Sequence, residues 1–432
     1  MNQAVPAAVA APPARARRAR IAVSAGFAAQ GFVFAMILNS LDTFKDRYGV
    51  DDGTIAFVIL GVCLMAGVGT VISDRVARSS AGSRGVLGRG LVVVGTAVVV
   101  VAVSPSFAVL AVGFAVFGVG VGMVDSGTNM QAVSIQRVYG RSLLTGFYAS
   151  WSAGGILGTV AVAVASGRVS ADPVNLVLLL GTAAALAASV AARRAAWSEP
   201  VVPDVHADAV AQPDEALAAC EVSAVDEVSP QGIVGKPVIP WGPLLILGLG
   251  VVAYYVNDQA ISTWSPIFMH EVLDATGTLA KLGYAAYLSM TLVSRLLGDP
   301  CVRRWGRAAV VRVAALVGAA GLIVVLTAEG APQAVIGFAI AGAGLGLIAP
   351  LCFSSAGLLA PGHADAVIAR LNGFNYLGAV LGGVFVGLIG NASSLRWGFL
   401  VPVILVLAVA VLAGRFGVVR HADAPLSAGA DA

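Results

Sequence analysis

Twelve stretches of about twenty apolar residues, separated by charged or turn-forming residues, constrain this 432-residue chain more than any motif in it. A hydrocarbon layer roughly 30 Å thick takes about 20 helical residues to cross. Within it every backbone N–H and C=O needs a partner, which only helices and closed barrels supply. The stretches lie at about 21–43, 54–73, 86–104, 107–134, 143–166, 174–192, 242–265, 278–298, 308–327, 333–358, 366–390 and 395–416. They are continuous, whereas barrel strands alternate over about ten residues, so membrane-spanning helices are predicted. Composition agrees: 58% of residues are hydrophobic, 11% are charged, and mean hydropathy is +0.89. A soluble domain carries about 25% charged residues, so most of this exterior has to meet lipid.

Residues 1–20 are rich in Ala, Pro and Arg and read as a disordered basic tail. The apolar stretch after them lacks a small-residue cleavage site and is followed by further spans, so it reads as a retained helix rather than a signal peptide. Placing the N-terminus in the cytoplasm leaves Lys45, Arg47, Arg168, Lys281 and Arg396 outside, 5 of 26 basic residues. The opposite orientation reverses that count, so both termini are expected inside. Residues 193–240 carry six prolines and many acids and read as a cytoplasmic linker between six-helix halves, 21–192 and 241–416. Residues 417–432 read as a second disordered tail. Of the four cysteines, Cys63 and Cys352 fall in apolar stretches and Cys220 and Cys301 in expected inner loops, so no disulfide framework is indicated.

The halves repeat. Gly118, Gly120 and Gly122 match Gly342, Gly344 and Gly346 at an offset of 224. Ser73-Asp74 matches Gly298-Asp299 at 225, and Gly154-Gly155 matches Gly382-Gly383 at 228. Six spans per unit give the repeats one orientation in the membrane. The expected fold is therefore an all-α integral membrane protein, with twelve transmembrane helices in two parallel six-helix repeats around a central cavity. The glycine runs are not nucleotide loops, since no strand precedes them; small residues that let helices approach closely explain them. Pro350 is expected to break or bend the tenth span.

The segment from Gly69 to Arg78, with Asp74 and Arg75, and its partner from Arg295 to Arg307, with Gly298, Asp299, Arg303 and Gly306, resemble the Gly/Asp/Arg loop signature of the major facilitator superfamily. The first copy departs by one extra residue between Gly69 and Asp74 and by lacking a Gly after Arg75. Asp125, Asn129, Gln131, Gly140-Arg141, Tyr148, Trp151, Gly154-Gly155, Asp258 and Trp264 look like the fucose-permease-like branch. The resemblance covers about 20–416 and implies alternating access and proton coupling, with no cargo named. It also implies an inner-gate loop made of Asp74, Arg75, Arg78, Arg295, Asp299 and Arg303, with Arg295 pairing Asp299 at helical spacing or Asp74.

An ionisable side chain inside a span costs about 2.5–3.5 kcal/mol on insertion scales, so it needs a wet or paired position. Asp125 precedes Arg137 by twelve residues, roughly 18 Å of helix. It is the first candidate for reversible proton binding, and a structural carboxylate at a helix interface is the alternative. Asp258 is also internal, and its counterpart in the first half is Phe34, an asymmetry suited to a proton or cargo site. The candidate cargo-binding set is Gln30, Asn39, Asn129, Tyr148, Trp151, Trp264, Asn372, Asn375 and Tyr376, with helix-to-helix packing as the alternative for each.

The leading function is a proton-coupled carrier of a small organic solute, sugar-like or ring-shaped. The alternative is a proton-driven efflux antiporter for a drug or secondary metabolite. Antiporters of that kind commonly carry a basic residue in span four and a Gly-Pro motif in span five, neither of which occurs here. A membrane enzyme is remote, since no HExxH, GxSxG or GxGD motif occurs and the four histidines are scattered. The expected partners are cargo, protons and the lipid bilayer; no metal, cofactor or nucleic acid is called for, and a monomer is expected.

Overall fold

The computed structural model describes residues 13–168, 173–197, 239–275, 278–360, 363–392 and 394–416, and their regular structure is helical throughout. The first half comprises α1 (Ala14–Leu38), α2 (Leu41–Tyr48), α3 (Asp52–Ala77), α4 (Gly82–Ala102), α5 (Phe107–Tyr139), α6 (Leu144–Arg168) and α7 (Pro173–Ala195). The second comprises α8 (Trp241–Glu271), α9 (Thr278–Trp305), α10 (Arg307–Leu326), α11 (Ala331–Leu345), α12 (Ile348–Ala356), α13 (Ala364–Ala392), α14 (Leu395–Gly398) and α15 (Leu400–Leu412). The short α2 joins two traversals, and α11–α12 and α14–α15 are each one interrupted traversal. Among the described residues, ten segments are long and apolar enough to cross a membrane; α9 and α13 run beside them.

Local chemistry sets the ends. The Ser106 hydroxyl accepts from the Val109 N–H at 3.4 Å where α5 starts, and Gly140 closes it at φ +61°. The Asp51 carboxylate accepts from the Thr54 N–H at 2.8 Å at the start of α3. Hydrogen bonding from the Thr54 side chain and N–H holds this exposed carboxylate below its usual range.

Four features depart from the sequence reading. Helix α1 begins at Ala14, inside the expected tail, because Ala16, Ala19 and Val23 carry its buried face into the arginine-rich segment. Arg15 there lies over the Trp197 ring at 5.2 Å and Arg20 over Tyr139 at 5.8 Å. Helix α9 runs through Pro300 to Trp305, so Asp299, Cys301 and Arg303 are helical rather than in a loop. Helix α8 likewise runs past the expected end of its span at 265 to Glu271, with His270 in its last turn. The tenth traversal breaks at Gly346-Leu347, four residues before the Pro350 ring nitrogen, which has no N–H to give. Residues 1–12, 198–238 and 417–432, which hold most of both expected tails and of the linker with Cys220, His206 and His421, lie outside the described residues.

The repeat is visible in close helix approaches. A Cβ on Gly118 would sit 2.5 Å from the Val62 carbonyl of α3, and one on Gly342 would sit 2.2 Å from the Tyr287 carbonyl of α9. Val62 and Tyr287 are 225 residues apart, matching the 224 between the glycines. A Cβ on Gly154 would sit 2.0 Å from the Ala28 carbonyl of α1 and one on Gly382 2.4 Å from the Val256 carbonyl of α8, and both members of this pair are offset by 228. Each half is thus assembled by the same backbone contacts, which only residues without a Cβ permit. Outward faces carry exposed apolar side chains such as Phe57, Leu157, Leu296 and Val411, the surface that acyl chains cover. Residues on both sides of 198–238 pack into one unit.

Candidate functional site

The polar residues of the spans gather where the halves meet. Asp125, partly exposed on α5, accepts from the Gln30 amide of α1 at 2.5 Å through Oδ1. Its Oδ2 accepts from the Tyr376 hydroxyl of α13. One carboxylate therefore links a partner in its own half to one in the other.

Beside it runs an amide chain. The Tyr148 hydroxyl donates to Asn129 Oδ1 at 3.0 Å, and Asn129 Nδ2 donates to Asn372 Oδ1 at 3.3 Å across the halves. Asn375 Nδ2 shares that oxygen at 3.0 Å, and Asn372 Nδ2 reaches Thr70 Oγ1 at 3.4 Å. Spacing of three residues on α13 puts both asparagines on one face, which is why they share an acceptor.

A second network surrounds Asp258 on α8. Its Oδ1 accepts from the Tyr287 hydroxyl at 2.8 Å and the Tyr254 hydroxyl at 3.3 Å. Tyr254 in turn accepts from Arg295 Nη2 at 2.7 Å. Arg295 also donates from Nη1 to Ser152 Oγ at 2.6 Å and from Nε to the Gly346 carbonyl at 3.3 Å. Its guanidinium lies 5.5 Å from the Tyr148 ring centre and 6.0 Å from that of Trp151. Trp151 is partly exposed and tilts against Phe34 at 6.2 Å.

Toward the arginine-rich end, contacts between the halves close off this cluster. Asp299 accepts from the Ser142 hydroxyl at 2.7 Å and the Gly146 N–H at 3.0 Å, in the connection before α6 and its first turn. Asp74 pairs with Arg78 on its own helix and lies 3.6 Å from Arg370 of α13. Gln136 Nε2 donates to Ser354 Oγ at 2.8 Å. Arg75 and Arg303 are exposed, and Arg303 lines a cavity of about 640 Å³ with Arg141 and Arg307.

Placement differs from the sequence reading at three residues. Arg295 pairs with neither Asp299 nor Asp74: the start of α6 takes up Asp299, and the carbonyl freed by Pro350 draws Arg295 into the cluster. Asn39 sits at the exposed end of α1, bonded to the Ala35 carbonyl at 2.7 Å and Thr159 at 3.2 Å. Trp264 donates to the Gly383 carbonyl at 3.1 Å, tying α8 to α13. The sequence reading missed Tyr254, Tyr287 and Arg370. Tyr254 stands four residues before Asp258, a same-face spacing that marks it as a partner.

Among the described residues, apolar helices in two repeats that meet at a polar cluster with two carboxylates make the architecture of a multi-pass membrane protein. The Major Facilitator Superfamily profile matches residues 247–432. An uncharacterized transporter of Sinorhizobium fredii is 27% identical over 292 residues, covering 67% of this chain and 70% of its own. In fold the chain is similar to FucP, the Escherichia coli fucose:proton symporter, in its outward conformation, with a TM-score of 0.72, 12% identity, and coverage of 92% of this chain and 98% of that one. It is also similar to the proton:xylose symporter XylE, with a TM-score of 0.69, 12% identity, and coverage of 92% and 94%. The second half of the chain thus resembles the Major Facilitator Superfamily in sequence, and the whole shares the fold of FucP and XylE.

Proposed function

We propose that this protein is a proton-coupled carrier of a small organic solute, working by alternating access in the plasma membrane as a monomer. The arginine-rich end and both termini face the cytoplasm, since 21 of the 26 basic residues then lie inside. The 193–240 segment serves as a flexible cytoplasmic linker between the halves.

The observation that carries this reading is the bridging of the halves by Asp125. An ionised carboxylate accepts from both Gln30 and Tyr376; protonation removes its charge and weakens both charge-assisted bonds. Only Tyr376 belongs to the other half, so proton binding acts on the two conformations unequally, which coupling requires. Asp258 acts as a second proton or cargo group. Gln30, Asn129, Tyr148, Trp151, Asn372, Asn375 and Tyr376 take the cargo, and Asp74, Arg78, Arg370 and Asp299 close the cytoplasmic side. FucP and XylE, whose fold this chain resembles, are sugar symporters driven by protons, which fits the direction of the reading.

The test is uptake into vesicles under an imposed pH gradient. Asp125→Asn is expected to abolish gradient-driven accumulation while leaving exchange of cargo down its own gradient. Full accumulation by that variant removes Asp125 from the coupling step.

A further inference from the structure

We infer that the cargo bears a carboxylate and that Arg295 is the group that receives it; this rests on the carrier reading and narrows its substrate class. Arg295 is 2% exposed, yet its partners are all neutral: the Gly346 carbonyl, the Ser152 hydroxyl and the Tyr254 hydroxyl. Among the described residues no carboxylate lies within ion-pair distance of it, and Asp258 is reached only through the Tyr254 hydroxyl. A buried cation held by neutral groups alone is costly, and a counter-charge removes most of that cost. Asp258, the nearest carboxylate, is held one hydroxyl away, so a carboxylate on the solute would supply the direct counter-charge.

The donor count fits one chemistry. A guanidinium has five N–H groups, and three are engaged, one on each nitrogen. One N–H is left on each terminal nitrogen, the pair that two-pronged carboxylate recognition uses. Among the described residues no other Lys or Arg belongs to the cluster, so a single guanidinium fork matches a monoanionic head group better than a dianion such as a phosphate ester. The Tyr148 and Trp151 rings beside the guanidinium offer apolar faces to the carbon skeleton that carries the acid. A neutral sugar would occupy the same faces and leave the cation uncompensated.

The experiment is a thermal-shift screen of the purified full-length chain against probes presented as acid and neutral counterpart. D-glucuronate is paired with D-glucose, D-galacturonate with D-galactose, L-lactate with 1,2-propanediol, and benzoate with benzyl alcohol. At least one acid is expected to stabilise the protein where its counterpart does not, and Arg295→Lys, which keeps the charge and loses the fork, is expected to weaken that acid about tenfold or more. Arg295→Gln, checked for monodispersity and helical content, is expected to lose the effect. Stabilisation by neutral members alone, by both equally or by none overturns the proposal, as does unchanged affinity of Arg295→Lys for the acid. An acid that stabilises the protein but is never accumulated in vesicles counts against the carrier reading instead, leaving the anion site standing.

Discussion

Asp299 of one half is hydrogen-bonded to Ser142 of the other, its carboxylate accepting from the hydroxyl at 2.7 Å. The Gly146 N–H adds a second bond at 3.0 Å, so the carboxylate sits on the first turn of α6, where a helix favours negative charge. Its repeat partner Asp74, 225 residues earlier, lies near Arg370, which stands 228 residues after Ser142. The acid at each repeat position thus reaches the opposite half, Asp299 at the start of α6 and Asp74 at Arg370 in the second turn of α13.

Asp299→Ala removes the carboxylate, so both bonds are lost. A hydrogen bond to a charged group contributes about 1.5–3 kcal/mol, enough to move the balance toward opening at this end by at least about tenfold. Spin labels at Arg141 and Trp305, both lining the cavity there, should report a longer and broader distance distribution in the variant. An unchanged distribution would show that this pair does not hold the end shut.

Tyr376 crosses between the halves to Asp125, whereas Gln30 reaches it from the same half. Tyr376→Phe removes only the cross-half donor. Gradient-driven uptake should fall about tenfold, the loss expected for one charged hydrogen bond. Gln30→Leu should leave the cross-half bond and reduce uptake less. Equal losses in both variants would argue that Asp125 is simply held in place by two donors.

The fold was legible because lipid leaves a chain few choices: continuous apolar stretches have to be helices, and backbone contacts across 2.0–2.5 Å to a would-be Cβ have to be glycine. Glycine offsets in the sequence therefore read out the repeat before any coordinates. Polarity inside apolar stretches also marked Gln30, Asn129, Tyr148, Trp151, Asn372, Asn375 and Tyr376 as candidates, and the structure brings them into one cluster. Arg295 escaped because helical spacing weighs only its own helix, while the start of α6 competes for Asp299 and the Gly346 carbonyl competes for Arg295. Asn39 escaped because a polar residue near a helix end is as easily a terminal partner for the backbone as a lining group.

Packing makes a paired prediction on stability. A Cβ at Gly31 would lie 2.1 Å from the Trp151 carbonyl, whereas one at Gly67 meets nothing within 4 Å. Gly31→Ala should cost about 1–3 kcal/mol through overpacking and lower the unfolding temperature in detergent, displacing Trp151 as α6 moves away. Gly67→Ala should be neutral or stabilising by about 0.5–1 kcal/mol, since alanine suits a helix better than glycine. Similar losses in both would mean that the α1–α6 contact is not the tight one.

Pro350 sets the last prediction. It stands in the first turn of α12, where a proline is tolerated, and its missing N–H leaves the Gly346 carbonyl without a helical donor. Arg295 Nε fills that vacancy at 3.3 Å. Pro350→Ala restores the N–H, lets α11 and α12 join into one helix, and sets the backbone against Arg295 for a single carbonyl. The variant should melt higher than the parent while losing turnover, because a straightened helix no longer steers Arg295 toward Ser152 and Tyr254. Thermal unfolding together with the rate of vesicle exchange measures both. A variant that melts higher and exchanges at the parental rate would show that the break at Gly346-Leu347 serves packing alone.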